Sequence, residues 1–235
     1  MKSIPERIKE DLIAGSDEQT RISGERFFRE DVKLYGVKSA MTERIAKEYF
    51  REIKERPKNE IFLMCEELWK SGYLEEAGIA CNWSYFVHKR YEPTDFEIFE
   101  RWISKYVTNW AACDTLCNHS VGTLVEMYPE KINDLKRLAH SKNRWEKRAS
   151  AVSLIIPARK GMFLNYIFEI AEILITDTDD MVRKGYGWML KAASQAHQDK
   201  VFDFVMNHRT IMPRTSLRYA VEKMPADLKL RAMAK

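Results

Sequence analysis

Strand signals are nearly absent from this chain: Gly-rich hairpin dipeptides do not occur, and no segment sustains apolar/polar alternation. That argues against a sheet-based fold. No apolar run approaches the roughly 18 residues a membrane span needs, so no contact with a membrane is expected. The start, MKSIPERIKEDL, is charged and lacks the apolar core of a secretory signal. A cytoplasmic protein is the resulting expectation. Four cysteines, Cys65, Cys81, Cys113 and Cys117, are too few for a disulfide framework in 235 residues and read as free thiols.

What is present is helical. Charged residues make up 31% and apolar ones 45%, as in a soluble folded protein. Apolar positions recur at three-and-four spacing, interrupted by breakers at short intervals. The pattern predicts helices at about 5–14, 17–31 (capped by Ser16 or Asp17), 39–56 (Ser39 as cap, Pro57 closing it), 58–70, 74–89, 94–105 and 109–126. Further helices are expected at about 129–140, 143–156, 161–175, 178–194, 198–207 and 214–234, the last broken near Pro225. Short connections make successive helices antiparallel neighbours. Pairs advance by roughly 35 to 40 residues, the length of HEAT-type or armadillo-type repeats. A compact all-α bundle is the alternative.

The formal charge of +4 is unevenly spread. From Asn207 to Lys235 seven Lys or Arg face two acids, which leaves the first 206 residues at a net −1. A basic C-terminal end suits a polyanionic partner and is equally a common solvated surface.

Within TNWAACDTLC, Trp110 and Asp114 stand four apart and share one helical face. Thirty-four residues beyond Asp114 stands Arg148, in NRWEKRASAV, and 40 further on stands Trp188, in RKGYGWMLKAA. Matching places in consecutive repeats line one side of a solenoid, so these four residues are expected to converge. The competing reading is structural: helical tryptophans are mostly core, and an Asp–Arg contact is mostly an ion pair. Against it, two aromatic plates, a carboxylate and a guanidinium are what a site for a cationic planar base and a phosphate requires. Cys113 and Cys117 with nearby His119 lack a third and fourth ligand at zinc spacing, so no metal is expected.

The succession W-x-x-x-D, N-x-W-x-x-R-A and G-W-x-L resembles the AlkD-type alkylpurine DNA glycosylases, from about Phe27 to Tyr219 and most strongly over residues 109–192. The resemblance implies an all-α superhelical solenoid of about six HEAT-like repeats with a concave basic face, a single domain over residues 1–235. It implies cleavage of the N-glycosidic bond of N3- or N7-alkylated purines in double-stranded DNA by a monomer without cofactor. It assigns Asp114 to stabilise the oxocarbenium-like sugar or position water, Trp110 and Trp188 to flank the deoxyribose, and Arg148 to hold a phosphate. The family leaves the lesion in the base stack, so a deep base pocket is not required.

This sequence departs from the family at three places. Asn109 stands where the family has a second Trp, Ala111 where it has an acid, and Phe27 where it has an aromatic hydroxyl residue. The basic run KNRWEKR, with Lys142, Arg144, Lys147 and Arg148, is read as a phosphate site, extended by Arg183, Lys184, Arg214 and Arg218; Trp145 is assigned to packing. Two other functions are weighed: a non-catalytic binder of damaged or branched DNA, and a protein-binding HEAT scaffold.

Overall fold

The computed structural model describes residues 2–234; Lys235, counted in the basic C-terminal run, lies outside them. Among the described residues there is no strand, only an isolated bridge between Lys33 and Tyr73. The chain divides into two compact units, one ending at Ser120 and the other beginning at Val121.

The first unit contains α1 (Ile4–Ala14), α2 (Glu18–Glu25), α3 (Ser39–Ile53), α4 (Lys58–Ser71), α5 (Leu74–Phe86), α6 (Asp95–Tyr106) and α7 (Trp110–Leu116). Two rows of packed helices result: α1, α4 and α6 form one, and α3, α5 and α7 the other, with α4 packed on α5 between them. The stripe Ile45, Ala46, Tyr49 and Ile53 turns α3 inward, and Phe96, Phe99, Trp102 and Ile103 do the same for α6. Phe62, Phe99 and Trp102 meet edge-on or tilted, with centroids 5.6–5.7 Å apart, an arrangement aromatic quadrupoles favour.

The second unit contains α8 (Gly122–Met127), α9 (Ile132–Ala139), α10 (Arg144–Val152), α11 (Ile155–Arg159), α12 (Leu164–Leu174), α13 (Asp180–Ala193), α14 (Gln198–His208), α15 (Arg214–Ala220) and α16 (Ala226–Met233). Here α10, α13 and α15 form one row, and α9 packs on α12 beside it. The repeat is visible in the bonding as well as in the packing. Trp83 donates to the Ala46 carbonyl, Arg101 to Glu66, Lys136 to Glu169, His197 bonds the Gly161 carbonyl, and Ser216 donates to Arg183 O, at sequence separations of 37, 35, 33, 36 and 33 residues. The all-α helical-repeat fold expected from the sequence stands.

Several boundaries differ from expectation, each for a local reason. The second helix stops at Glu25 rather than near residue 31, where the chain turns at residues 26–27 and then leads to Lys33, whose carbonyl accepts from the Leu74 N–H at 2.9 Å. Asp17, not Ser16, caps it, accepting from Thr20 N–H at 2.7 Å. Ser39 is the first helical residue of α3 and makes no cap; Lys38 holds the cap position. Pro57 does not close α3, which ends at Ile53, but opens α4, where its fixed φ suits a helix entry. The helix expected over 109–126 is continuous but widens into a π turn at Cys117–Val121.

Candidate active site and nucleic-acid interface

Helix α7 begins with a cap built from the residue that departs from the family motif. Asn109, buried, accepts the Ala112 N–H on its Oδ1 at 2.9 Å, an interaction worth about 1 kcal/mol to a helix. Trp110 follows as the first residue of α7 and Asp114 lies one turn on; both are half-buried. The Trp110 ring stacks on Phe28, with centroids 5.4 Å apart and 25° between the planes. Phe27, which the resemblance matches to the family's aromatic hydroxyl residue, is 73% exposed. Phe28, the next residue, is the one that touches Trp110.

Phe28 lies in the segment between α2 and α3, which two buried carboxylates at the start of α5 anchor. Glu75 accepts the N–H groups of Tyr35, Gly36 and Val37 at 3.1, 2.9 and 3.1 Å. Glu76 accepts the Tyr35 hydroxyl at 2.7 Å, and the Tyr35 ring stacks on Tyr73 at 3.9 Å. Gly36 has φ 86°, and a Cβ there would lie 2.4 Å from Asp17 O, so no other residue fits without moving the backbone. Burial raises the Glu76 pKa above the ordinary value, against the lowering effect of the Tyr35 hydroxyl. Nothing in the sequence beyond two acids in a helix's first turn signalled this anchor.

In the second unit, Arg148 lies on α10 and is 5% exposed. Its Nη1 donates to the carbonyl of Met181 in the first turn of α13. The side chain passes over Gly185, where a Cβ would meet Arg148 Cγ at 3.4 Å. Trp188 is half-buried further along α13. Trp145 is buried, as its assignment to packing requires, with the Arg144 guanidinium 5.0 Å from its ring centre.

Most of the expected cationic track already has partners. Arg144 bonds the Asp179 carboxylate at 2.9 and 3.2 Å, Lys147 pairs with Asp177, and Lys184 pairs with Asp180 at 2.7 Å. Arg183 donates to the Asp177 carbonyl at 2.6 Å, and Arg214 to that of Met233 at 2.9 Å. Lys142 and Arg218 are exposed. The charge imbalance is wider than the C-terminal run alone: from residue 121 on, twenty Lys and Arg face thirteen acids, whereas nineteen face twenty-two before it.

The helix boundaries define equivalent places. Glu43, Gly78, Asp114, Arg148, Lys184 and Arg218 are each the fifth residue of α3, α5, α7, α10, α13 and α15. Asp114 and Arg148 thus match, as their spacing suggested. Trp188 does not; it stands one turn later, at the ninth place, which Asn82 holds in α5.

All four cysteines are buried as free thiols, and burial pushes those of Cys65 and Cys81 well above the ordinary value. Among the described residues no group of three or more His, Cys, Asp or Glu is placed to hold a metal ion, and no helix is long and apolar enough to cross a membrane.

A family model described as DNA alkylation repair enzyme matches residues 8–224. No curated protein matches the chain. A solved structure described as a predicted DNA alkylation repair enzyme from Enterococcus faecalis matches with a TM-score of 0.81 at 13% sequence identity, covering 90% of this chain and 97% of that one. At that identity the likeness concerns the fold.

Proposed function

Since the chain belongs to the DNA alkylation repair enzyme family, we propose that it hydrolyses the N-glycosidic bond of N3- or N7-alkylated purines in double-stranded DNA. The observation that carries this reading is the pair on α7: Trp110 with its ring held by Phe28, and Asp114 one turn along the same face.

Alkylation at N3 or N7 leaves the purine positively charged, so it departs with the bonding electron pair and becomes neutral. The sugar left behind has oxocarbenium character, and water completes the reaction at its C1′. Asp114 stabilises that developing charge or orients the water, as a carboxylate fixed beside a reacting centre does. Trp110 and Trp188 present electron-rich faces to the cationic sugar. Arg148 takes a phosphate, and Phe27, Lys142, Arg144, Lys147, Arg183, Lys184, Arg214 and Arg218 contribute to DNA contact, consistent with the basic excess of the second unit.

A second reading, a binder of damaged or branched DNA without catalysis, is favoured by one feature. Asn109 and Ala111 replace the family's aromatic and acid beside Trp110, and Asn109 is committed to capping α7. Incubation of the full chain with methylated duplex DNA separates the two. Release of N7-methylguanine or N3-methyladenine supports hydrolysis, and salt-sensitive binding with no release above background supports the binder.

A further inference from the structure

On the face formed by α3, α5 and α7 runs a groove that takes no part in the reaction proposed above. It encloses about 390 Å³ beside Gly78 and Ala111 and continues into a hollow of about 270 Å³ toward Tyr85. Glu43, Asn82, Thr115 and His119 line both parts, so the two are one feature.

Two observations mark the groove as a place to be filled. Glycine is a poor helix former, and inside a helix it normally answers to a left-handed backbone or a close neighbour. Gly78 has neither: its φ is not positive, and a Cβ built there meets nothing within 4 Å. Its missing side chain keeps the floor open. Thr42, on the α3 wall, is 7% exposed, and its hydroxyl oxygen is buried without a hydrogen-bond partner. Buried polar atoms are normally satisfied, so an unpaired one beside a cavity points to a missing partner.

The lining selects the chemistry of that partner. Its polar side chains offer acceptors: the Glu43 carboxylate, the Asn82 amide oxygen, and the hydroxyl oxygens of Thr42 and Thr115. Thr115 gives its own proton to the Ala111 carbonyl at 2.8 Å, which leaves it lone pairs to accept with. The π turn at Cys117–Val121 places His119 against Tyr85, ring centroids 5.3 Å apart. Partial desolvation lowers the His119 pKa from 6.5, so at neutral pH the ring does not repel a cation. Lys47 stands at the Tyr85 end, 3.9 Å from Glu43; with the two side chains 63% and 61% exposed, that pairing is weak and easily displaced.

Acceptors, a carboxylate and aromatic rings suit a group that donates, accepts nothing and is positively charged. A guanidinium has five donors and no acceptor, and it stacks on aromatic faces. Residues 1–120 carry twenty-two acids against nineteen Lys and Arg, which attracts a cation and works against a phosphate. The opposite end of the groove is apolar, lined by Leu34, Val37 and Leu74, and a bare cation would leave it unfilled. We infer that the groove docks a basic segment of a partner protein through one arginine and a neighbouring apolar residue. The guanidinium lies among Glu43, Asn82 and Tyr85, and the apolar side chain lies against Leu34, Val37 and Leu74. This docking site is independent of the proposed hydrolysis, and failure to release bases from methylated DNA leaves it standing.

Amide chemical-shift titration of the full chain with two capped peptides tests this. One is acetyl-Leu-Ala-Arg-amide, in which an extended backbone puts Leu and Arg on one side; the other has citrulline for arginine, the same shape without the charge. The arginine peptide shifts the amides of Thr42, Gly78 and Asn82 and binds about tenfold more tightly than the citrulline peptide. Glu43→Gln removes that preference, and Gly78→Met, which fills the floor, abolishes the shifts without lowering the melting temperature. No shift with the arginine peptide, equal binding of the two peptides, or shifts that persist in Gly78→Met would overturn the inference. Spermidine or unmethylated duplex DNA moving these amides where the peptide does not would assign the groove to a free polyamine or to nucleic acid, and would overturn it as well.

Discussion

The rings of Phe28 and Trp110 stack with centroids 5.4 Å apart, which couples the segment between α2 and α3 to the first residue of α7. An aromatic pair adds about 0.5–1.5 kcal/mol beyond its buried area. Phe28→Ala therefore lowers stability by about 2 kcal/mol once lost burial is included, and it frees the Trp110 ring. Phe27→Ala, at an exposed position, stays within about 0.5 kcal/mol. Denaturant unfolding of the two variants checks the contrast, and equal losses would contradict it.

Glu75 holds that segment from the other side, through three consecutive backbone N–H groups. Hydrogen bonds to a charged group contribute about 1.5–3 kcal/mol each, not additively. Glu75→Ala is expected to cost about 3 kcal/mol and to expose the amides of Tyr35, Gly36 and Val37 to hydrogen exchange while α6 stays protected. Unchanged exchange at those three amides would remove the anchoring role.

The all-helical class, the repeat spacing and the matching of Asp114 with Arg148 were legible in the sequence, because breakers and apolar spacing are local signals; the thirteen expected helices stand as sixteen among the described residues, since interruptions inside a helical run are set by packing. The contact of Phe28 with Trp110 was not, since Phe27 and Phe28 are adjacent in the turn that follows α2 and differ only in which way that turn points them. Nor could the spacing of Trp188 from Asp114 show that it stands a turn beyond the equivalent place, because that depends on where α13 begins. The pairing of the basic residues was not legible either: Asp179 and Asp177 engage Arg144 and Lys147 from the next repeat, and Asp180 engages Lys184 from the preceding helical turn.

Close helix approach in the second unit makes opposite predictions for two glycines on α13. A Cβ at Gly187 would lie 2.8 Å from Tyr219 Cβ and 3.0 Å from Ser216 O, so Gly187→Ala pushes α15 away and costs about 1–3 kcal/mol. At Gly185 the nearest atom would be 3.4 Å away, and Gly185→Ala is neutral or gains up to about 1 kcal/mol in helix propensity. Thermal unfolding of both variants decides whether the packing is as described.

Glu76 supplies a pH dependence. Its folded pKa is raised above the ordinary 4.5, so the folded state holds the proton more tightly than the unfolded chain. The stabilisation this gives is complete below pH 4.5 and is lost as pH rises through the folded value. Glu76→Gln keeps an acceptor for Tyr35 and removes the titration. The stability difference between variant and wild type should grow in the variant's favour across that interval, and a constant difference would contradict the shift.

In the proposed reaction Asp114 serves bond cleavage. Quantified release of N7-methylguanine from methylated duplex DNA by the wild type and by Asp114→Asn tests it most directly. Release by the wild type is expected, with a loss of about a hundredfold or more in the variant and with DNA binding and melting temperature near those of the wild type. Equal release by both proteins, or none by either, would contradict it.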